Sequence, residues 1–435
     1  MIPRNERFMR VLLIDFSPFM PAATPISLGY LGAALKADGH SVKVLSLGSD
    51  SKFSPHTFQS FLREYSPHLI GLTTYQRNIS HIHALATLAK ATCPGTFVIL
   101  GGPQITFMPD SALDALPGVD FLCRGEGEAV ILAVVNAISS ETLQTPIPGV
   151  TARSPEGGYR TGPPAPPAPD LDRYPSPWLE GILDPSQMEE AIMLTSRGCP
   201  HACAFCYTPA ASGRRIRAHS VERVLDEISF VSRRGNGRLW FADPNFSFDE
   251  GRVIRILEGI VRKGLKVNMW LETRADMLSP ELIELMKQAG AHTVALGLES
   301  ASENVFPYLN KRLDPGKVRT AAELLLRAGI EVELFSQFAL PRERMADALK
   351  TLNFVKESGV KIKGNSNAQQ MQLYFGSRIC ADPASYGIKP LRNRFPPYLS
   401  IGTAFETEWM TREEIEKVKA IWRAESLDGG KRVVS

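Results

Sequence analysis

The chain has 435 residues, of which 44% are hydrophobic and 22% are charged, a composition typical of a globular protein with two or three domains. Lys and Arg total 49 and Asp and Glu total 46, so the net charge is only +3. So small an excess predicts neither a nucleic-acid partner nor a membrane-surface patch. No apolar run reaches the roughly 18 residues that span a bilayer, and Val11–Ile14 is too short for a signal-peptide core. We therefore expect a cytoplasmic protein.

The first third of the chain alternates strand and helix patterns. Strands are predicted at Val11–Phe16, Ser41–Ser46, Leu69–Thr73, Phe97–Leu100 and Val119–Cys123. Helices are predicted at Ser27–Lys36, Pro55–Tyr65, Ile79–Ala91 and Ala129–Ile138. This alternation predicts βαβ units and a parallel sheet covered on both faces, a doubly wound, Rossmann-like α/β domain over residues 1–145.

A hairpin and a stiff connector follow. The segment Gly149–Arg160 contains a turn between short strand-like runs, which predicts a small hairpin. Residues 163–177 include seven prolines, a density typical of an extended linker. We place the hairpin and linker at residues 146–178, as the boundary between two domains.

The second half alternates again. Strands are predicted at Ala191–Thr195, Leu239–Ala242, Val267–Glu272, Thr293–Leu298, Glu331–Phe338 and Val360–Ile362. Helices are predicted at Ser220–Arg233, Arg252–Arg262, Pro280–Lys287, Gly316–Arg327 and Met345–Glu357. Six units are too few for a complete eight-stranded barrel, so residues 179–368 are predicted to form a partial (βα)6 barrel of the TIM type. The C-terminal region, 369–435, offers Tyr374, Tyr398, Phe405 and Trp409 either as pocket lining or as plain packing.

Three of the six cysteines lie within eight residues, immediately after the first strand of this barrel. Cys199, Cys203 and Cys206 have the spacing C-x3-C-x2-C, and three thiolates in one tight loop suit iron. A four-iron cluster held by three cysteines leaves one iron open to chelate a small molecule. Zinc bound by the three thiolates and His201 is the alternative, although His201 lies between two of the cysteines, where reaching the same metal would strain the loop.

This motif and its context resemble the radical S-adenosylmethionine superfamily, specifically the subgroup with an N-terminal cobalamin-binding domain. The resemblance implies that the open iron binds S-adenosylmethionine and that an electron from the 4Fe-4S cluster cleaves it to a 5′-deoxyadenosyl radical. It implies an electron donor such as flavodoxin or ferredoxin. Phe205 matches the aromatic position near adenine. At later strand ends the matching positions are Asp243 and Asn245 pointing into the site, Arg274 for the methionyl carboxylate, and Glu299 and Ser300 near ribose.

Two strand ends of the barrel compare differently with the family pattern. Asp243 is our candidate catalytic residue of the barrel, and its strand end fits the pattern well. The fifth strand end, however, has Ala339 and Arg342 where the family usually has two glycines. The backbone path of that loop is therefore left open by the sequence.

In the first domain the predicted strand ends Ser17–Pro25, Thr73–Asn78 and Gly101–Thr106 place binding residues at one edge. A nucleotide, a flavin or an empty scaffold are alternatives, but no G-x-G-x-x-G follows the first strand. By resemblance this is a cobalamin-binding domain. Its candidate cofactor-binding residues are Pro25, Thr73, Thr74, Tyr75, Arg77, Gly101, Gly102, Gln104, Gly125, Glu126, Gly127 and Glu128.

No histidine occurs between Asp15 and Ala23, where other cobalamin folds often supply an axial ligand. We expect Arg77 to approach the lower face of cobalt instead and to act there as a catalytic residue. A guanidinium has no lone pair, so it cannot ligate the metal. The alternative is that Arg77 pairs with a cobalamin phosphate or with a surface acid.

The leading functional hypothesis is a cobalamin-dependent radical methyltransferase that acts on an unactivated carbon of a small molecule or peptide. The second hypothesis is a non-methylating rearrangement, cyclisation or ring contraction with the same cofactors. An RNA methylthiotransferase would need three N-terminal cysteines, and only Cys93 and Cys123 are present. A non-catalytic sensor would not need the strand-end carboxylates and Arg274 in addition to a cluster.

Overall fold

The computed structural model describes residues 8–17, 23–360, 369–391 and 403–425. The chain divides into two compact units, the first ending at Asp184 and the second beginning at Pro185. Part of the predicted segment Ser17–Pro25, residues 361 and 362 of the sixth predicted barrel strand, and Tyr398 lie outside the described ranges. The domain boundaries drawn from the sequence stay predictions.

The first unit is built on a seven-stranded sheet with the order β2-β1-β3-β4-β5-β6-β7. Its strands are β1 Arg10–Ser17, β2 Ser41–Gly48, β3 Leu69–Thr73, β4 Phe97–Gly101, β5 Phe121–Cys123, β6 Val150–Arg153 and β7 Tyr159–Thr161. Strands β1 to β5 are parallel, whereas β6 and β7 form an antiparallel hairpin on the edge. The predicted parallel sheet is confirmed, and the hairpin extends it.

Helices cover both faces of this sheet. They are α1 Ile26–Ala37, α2 Pro55–Tyr65, α3 Ile79–Thr92, the short α4 Pro103–Thr106, and α5 Gly127–Ser139. Successive residues of a strand point to opposite faces. Accordingly, Leu12 joins the core formed with Phe58 and Leu62 of α2, while Leu13 joins the core formed with Leu28 of α1 and Val134 of α5. Two separate cores of this kind define a doubly wound fold.

The strand order sets the position of the crevice in this unit. Strand β1 lies between β2 and β3, so the chain reverses its direction of travel across the sheet at β1 and β3. In open α/β sheets, ligands bind outside the carboxyl ends of the strands at such a switch point. The segments after β1 and β3 are therefore the expected binding edge.

The second unit contains a six-stranded parallel sheet with the order β15-β14-β13-β12-β11-β8. Its strands are β8 Ala191–Met193, β11 Arg238–Phe241, β12 Asn268–Thr273, β13 Ala291–Glu299, β14 Glu331–Phe338 and β15 Gln369–Gln370. A small antiparallel pair of strands, β9 Ser196–Arg197 and β10 Arg217–Ala218, lies between β8 and the first long helix of this βα barrel. The sixth strand is thus formed by Gln369–Gln370, later in the chain than the Val360–Ile362 predicted.

Helices alternate with these strands. They are α6 Thr208–Ala211, α7 Val221–Arg234, α8 Glu250–Arg262, α9 Pro280–Gln288, α10 Phe306–Leu309, α11 Pro315–Arg327 and α12 Met345–Glu357. Side-chain caps explain several of their starts: Ser220, Asp249 and Ser279 each accept a hydrogen bond from the first turn. Neighbouring helices pack along the outer face, α7 on α8 and α8 on α9.

Aromatic contacts show how the six-stranded sheet curls. Trp240 of β11 pairs in register with Trp270 of β12, and their ring centroids are 5.4 Å apart. The Trp270 ring also lies 6.1 Å from the ring of Phe335 on β14, although β13 separates the two strands. The inner side chains therefore face one another around a concave space, which we call the lumen. This is the predicted partial barrel.

The C-terminal region packs against the second unit. The helix Arg412–Ala424 contacts α12, and its Trp422 is fully buried with its ring 6.0 Å from that of Phe338. Phe405, in the hairpin Ile388–Pro390 and Phe405–Thr407, is also fully buried, which is the packing role left open for it. Among the described residues, no helix is both long enough and apolar enough to cross a membrane.

Candidate functional site

The cysteine loop leaves β9 through a glycine that no other residue could replace without rearrangement. Gly198 has a φ of 95°, and a Cβ placed on it would lie 2.5 Å from the carbonyl oxygen of Arg215. This close approach lets the backbone N–H of Cys199 donate to the carbonyl of Gly213 at 3.1 Å. The first cysteine is therefore positioned by the segment that returns to β10.

The middle of the loop is held by segments distant in sequence. The N–H of Ala204 donates to the carbonyl of Leu309 at 2.8 Å, and Asn310 Nδ2 donates to the carbonyl of Ala202 at 2.9 Å. The N–H of Ile379 donates to the carbonyl of Ala204 at 3.1 Å. The segment after β13 and the C-terminal region thus fix the loop that carries Cys203 and Cys206.

The three thiols lie near enough to influence one another. Burial raises the pKa of Cys203 to about 11, with Lys311 opposing the rise and Cys206 and Cys199 adding to it. Burial also raises the pKa of Cys199. No three His, Cys, Asp or Glu side chains in the described ranges are arranged around a single-ion site. A four-iron cluster takes each thiolate on a different iron, and the three cysteines of this loop supply three such thiolates.

Asp243 is fully buried just after β11 and holds the chain that leads into the cysteine loop. Its Oδ1 accepts hydrogen bonds from the N–H groups of Thr195 (2.8 Å) and Ser196 (2.7 Å), and Oδ2 accepts from the Thr195 hydroxyl at 2.6 Å. Arg252 supports the same corner by donating to the Thr195 carbonyl at 3.1 Å. These contacts describe a positioning residue; the catalytic role predicted for Asp243 stays a prediction.

Asn245 and Arg274 form the next corner of the site. Asn245 Oδ1 accepts from the Thr273 hydroxyl at 2.9 Å, which ties the end of β12 to the segment after β11. The guanidinium of Arg274 binds Asp276 in a bidentate pair, Nε to Oδ1 at 2.9 Å and Nη2 to Oδ2 at 2.8 Å, and Nη1 donates to the Lys311 carbonyl at 3.3 Å. The guanidinium that was predicted to bind the methionyl carboxylate is therefore already paired with Asp276 in this structure.

Glu299 ends β13 in an unusual conformation and forms a charged cluster. Its φ is 64°, and the register with β14 shifts between Gly297 and Glu299. Oε1 lies 2.7 Å from Nζ of Lys311, and Oε2 accepts from Gln337 Nε2 at 2.6 Å. Because Lys311 and Glu299 both act on the pKa of Cys203, this cluster borders the cysteine loop.

Ser300 and Phe205 are placed differently from each other. Ser300 is fully buried, and its hydroxyl lies 3.3 Å from that of Thr351 on α12 and accepts from the Ser302 N–H at 3.1 Å. Phe205 is half-buried, within the cysteine loop.

A cleft of ≈ 440 Å³ lies beside the loop, lined by Leu298, Phe306, Pro307, Leu309, Asn310, Lys311, Arg312 and Leu313.

The backbone after the fifth barrel strand, β14, adopts conformations that glycine favours, although no glycine is present there. Ala339 and Arg342 have φ values of 62° and 67°, which is the left-handed region that glycine favours. The carboxylate of Glu343, fully buried, accepts from the Leu340 N–H at 3.1 Å and stabilises the turn from within. The guanidinium of Arg342 lies between the rings of Tyr308 and Trp409, at 5.0 and 4.9 Å. Trp409 therefore packs on this turn.

In the first unit, Asn78 joins the ends of β1 and β3. Its Nδ2 donates to the carbonyls of Phe16 (3.0 Å) and Thr73 (3.2 Å), and its Oδ1 accepts from the Tyr75 N–H at 2.7 Å. Thr74 N–H donates to the Gly101 carbonyl at 2.8 Å, so the predicted segments after β3 and β4 lie side by side. Asn78 lies in the segment predicted from the sequence, but no sequence pattern indicated that it joins two strand ends.

Glycines at the same edge permit close backbone approach. A Cβ on Gly102, whose φ is 107°, would lie 2.7 Å from the Thr74 carbonyl oxygen. Gly125 has a φ of 79° with open space beside it, and its N–H donates to the Thr106 hydroxyl at 3.2 Å. Pro25, Gln104 and Glu128 are buried at this edge, and Glu126 accepts from the Ala168 N–H. The predicted binding residues after β3, β4 and β5 are thus brought to one edge.

Arg77 is exposed on the segment after β3. Burial raises the pKa of Asp15, near the end of β1, and the positive charge of Arg77 partly offsets that rise. The described structure therefore places Arg77 near the switch point and close to an acid. Its predicted role below cobalt stays a prediction.

Several supporting residues escaped the sequence analysis. Four of them lie outside the three-cysteine motif: Thr195, Arg252, Gln337 and Glu343. Their roles depend on hydrogen-bond partners between 3 and 57 positions away in the sequence. For two of them the sequence signal is a charged residue at a position where a buried side chain is expected. Arg252 lies among the apolar residues on the buried face of α8, and Glu343 lies fully buried in the turn after β14.

Two family models match the chain. The B12 binding domain matches residues 20–135, and the Radical SAM superfamily matches residues 193–355. The first match covers the doubly wound sheet with its glycine-lined edge, and the second begins at β8 and includes the cysteine loop.

Individual proteins are similar over most of the length. Uncharacterized methyltransferase PH0819 of Pyrococcus horikoshii is 27% identical over 400 residues, covering 91% of this chain and 85% of that protein. The anaerobic magnesium-protoporphyrin IX monomethyl ester cyclase of Rubrivivax gelatinosus is 29% identical over 322 residues, covering 71% of this chain but only 58% of the cyclase. The structure of TsrM from Kitasatospora setae, a radical S-adenosylmethionine methyltransferase with tryptophan and an S-adenosylmethionine analogue bound, matches with a TM-score of 0.76 at 16% identity, covering 96% and 89% of the two chains.

The chain therefore belongs to the radical S-adenosylmethionine enzymes that carry an N-terminal B12 binding domain. This confirms the predicted resemblance, the fold class and the assignment as an enzyme. It also confirms the predicted cofactors: cobalamin for the first unit, and S-adenosylmethionine with a 4Fe-4S cluster for the second.

Proposed function

We propose that this protein is a cobalamin-dependent radical methyltransferase that acts on an unactivated carbon of a small molecule. One observation carries the proposal: a three-cysteine loop at the carboxyl edge of a half-barrel and a B12 binding domain occur in the same chain. Support for methylation comes from PH0819, a relative named as a methyltransferase that matches nearly the whole chain. When bound, the cluster supplies the electron that opens the sulfonium of S-adenosylmethionine, and cobalamin carries the methyl group.

The chain's own residues then bind and orient. Cys199, Cys203 and Cys206 would hold the cluster in a loop fixed by Leu309 and Asn310. The acid–base cluster of Glu299, Lys311 and Gln337 borders that loop and offers both carboxylate and cationic groups to a polar ligand. An external reductant such as flavodoxin or ferredoxin would supply the electron, and we expect the enzyme to work in the cytoplasm.

A second candidate function is a non-methylating radical rearrangement, cyclisation or ring contraction that uses the same cofactors. The similarity to the magnesium-protoporphyrin IX monomethyl ester cyclase favours it, over 71% of this chain. Both reactions use the same cofactor-binding residues, so the site geometry alone supports either. The difference lies in the fate of the methyl group.

The test follows the methyl group of S-adenosylmethionine. The full chain, loaded anaerobically with iron, sulfide and reduced cobalamin, is incubated with S-adenosylmethionine that carries a deuterated methyl group. Methyl transfer predicts S-adenosylhomocysteine together with the label recovered on cobalamin. Formation of 5′-deoxyadenosine without any S-adenosylhomocysteine would favour the cyclase-type reaction. A Cys199→Ala, Cys203→Ala, Cys206→Ala variant should lack iron, and unchanged iron content in it would refute the cluster assignment.

A further inference from the structure

The lumen of the half-barrel is open to a ligand. On β12 the inner residues Trp270 and Glu272 are partly exposed, whereas Met269 and Leu271, which face the outer helices, are fully buried. On β14 Phe335 is likewise partly exposed. Side chains alternate between the two faces of a strand, so the accessible row is the inner one. This pattern marks a cavity surface.

The walls of this lumen are aromatic. Trp240, Trp270 and Phe335 form a continuous group, with centroid separations of 5.4 and 6.1 Å. Ala295 of β13 lies in register with Glu272. Its small side chain leaves room in the lumen beside Glu272. The indole Nε1 of Trp240 is buried and has no hydrogen-bond acceptor among the described residues. Aromatic faces attract cations through the ring quadrupole.

Glu272 faces this aromatic group from the next layer and is surrounded by negative charge. Burial raises the pKa of Glu272 to about 8, and the charges of Asp243, Glu333 and Glu299 add to the rise. Two of these neighbours have their own partners: Asp243 accepts from residues 195 and 196, and Glu299 pairs with Lys311. Within the described ranges, the Glu272 carboxyl makes no hydrogen bond and no ion pair.

A deeply placed carboxyl without a partner is costly, because desolvation disfavours its charge and nothing restores the lost hydrogen bonds. Glu272 follows Trp270 by two positions on the inner face of β12, and the Trp270 ring contacts the rings of Trp240 and Phe335. A ligand that brings a positive charge would satisfy the carboxylate and the ring faces together, whereas a neutral ligand of the same shape would leave the carboxyl unpaired.

We infer that the substrate carries a cationic nitrogen, an ammonium or amidinium group, which binds the carboxylate of Glu272 against the faces of Trp240 and Trp270. This inference names the substrate class of the reaction and rests on the proposed function for the reaction itself. The reacting carbon would then lie toward the carboxyl ends of the strands, where the cysteine loop is.

The test compares two probes of equal shape, benzylamine and benzyl alcohol, on the cofactor-loaded full chain. Quenching of tryptophan fluorescence, cross-checked by calorimetry, gives the two affinities. We expect the amine to bind on the order of tenfold more tightly, the usual range for one charge-assisted contact. Glu272→Gln should abolish this preference, while Glu258→Gln, an exposed glutamate on α8, should preserve it.

Equal affinities for the two probes, or a preference that persists in Glu272→Gln, would overturn the inference. Cofactor content and circular dichroism check the fold of each variant. If Glu272→Gln does not fold, Trp270→Leu decides the question, because it should weaken the amine more than the alcohol. Loss of the preference together with intact methyl transfer overturns only the substrate class. A clear preference without any consumption of S-adenosylmethionine overturns only the proposed function.

Discussion

Nζ of Lys311 lies 2.7 Å from Oε1 of Glu299, and a glycine two positions before the glutamate provides the space for the lysine. A Cβ on Gly297 would meet the Lys311 Nζ and would lie 2.9 Å from the Glu299 Oε1. Both side chains are largely buried. The strand end therefore combines a left-handed glutamate, a register shift and a buried ion pair in three residues, next to the cysteine loop.

Gly297→Ala should break this pair by displacing the movable end of Lys311, and it should also lower stability, because the largely buried Glu299 loses its cationic partner. We expect S-adenosylmethionine binding to weaken about tenfold, the effect of losing one charge-assisted contact. Equilibrium dialysis with labelled ligand measures it. Gly251→Ala is the matched control, because Gly251 is exposed on α8 and an added Cβ would make only an ordinary contact there, 3.7 Å from Asp249 Oδ1. Unchanged binding in Gly297→Ala would show that the pair does not serve the ligand.

Asp243→Asn should lower both iron content and stability. The amide oxygen can replace Oδ1 as acceptor for the N–H groups of residues 195 and 196, but the N–H₂ then takes the place of Oδ2, to which the Thr195 hydroxyl donates. That hydrogen bond must reverse, and Arg252 loses the negative charge beside it. The expected loss is about 2–4 kcal/mol of unfolding free energy. Iron analysis and anaerobic urea unfolding check it, with the exposed Asp226→Asn on α7 as control. Full iron and stability with turnover abolished would instead support the catalytic role predicted from the sequence.

Arg274 and Asp276 should behave as a coupled pair. Arg274→Ala should weaken S-adenosylmethionine binding tenfold to a hundredfold, as removal of a charge-assisted hydrogen bond does. If Arg274 acts only by holding residues 311 and 312, Asp276→Ala should cause a similar loss and the double variant should add little. A loss confined to Arg274→Ala would mean that the guanidinium contacts the ligand itself.

Glu343 should make the protein less stable as the pH rises toward 8. Burial raises the pKa of Glu343 to about 8, and the charge of Asp347 adds to the rise. The unfolded carboxyl titrates near its ordinary value of 4.5, so between these values the folded state holds an extra proton. Its stabilising contribution is complete below pH 4.5 and is lost as the pH rises through the folded pKa.

Urea unfolding at pH 6 and pH 8 measures this effect. The wild type should lose about 2–3 kcal/mol relative to Glu343→Gln over that range, at about 1.4 kcal/mol for each unit of pH. Glu303→Gln, at a glutamate whose side chain is 90% exposed, should follow the wild type. Parallel pH profiles for the wild type and Glu343→Gln would contradict the prediction.

Arg77→Ala should change the environment of cobalt if the arginine lies below it. Electron paramagnetic resonance of bound cob(II)alamin should show no axial nitrogen splitting in the wild type, because a guanidinium offers no lone pair, and altered splitting in the variant. An axial nitrogen signal in the wild type would exclude this role. An unchanged spectrum in Arg77→Ala would favour the alternative, in which Arg77 pairs with a cobalamin phosphate or with an acid such as Asp15.

The sequence by itself determined the elements and the metal-binding chemistry. Hydrophobic alternation and turn residues are local signals, so helix Pro55–Tyr65 and strand Glu331–Phe338 could be placed to the residue. The spacing of Cys199, Cys203 and Cys206 is equally local. The parallel sheets followed because strands that alternate with helices leave few topologies.

Only the tertiary structure decided which side chains meet. The sixth strand is a pair of glutamines that carries no strand pattern, and it forms because β14 offers a free edge at that point. The donors that bind Asp243, the pairing of Arg274 with Asp276, and the position of Glu272 two residues after Trp270 on one face of β12 depend on strand register and sheet curvature. Register is fixed by packing between residues distant in the chain, so no local pattern could reveal the partners of Asp243 and Arg274 or the surroundings of Glu272.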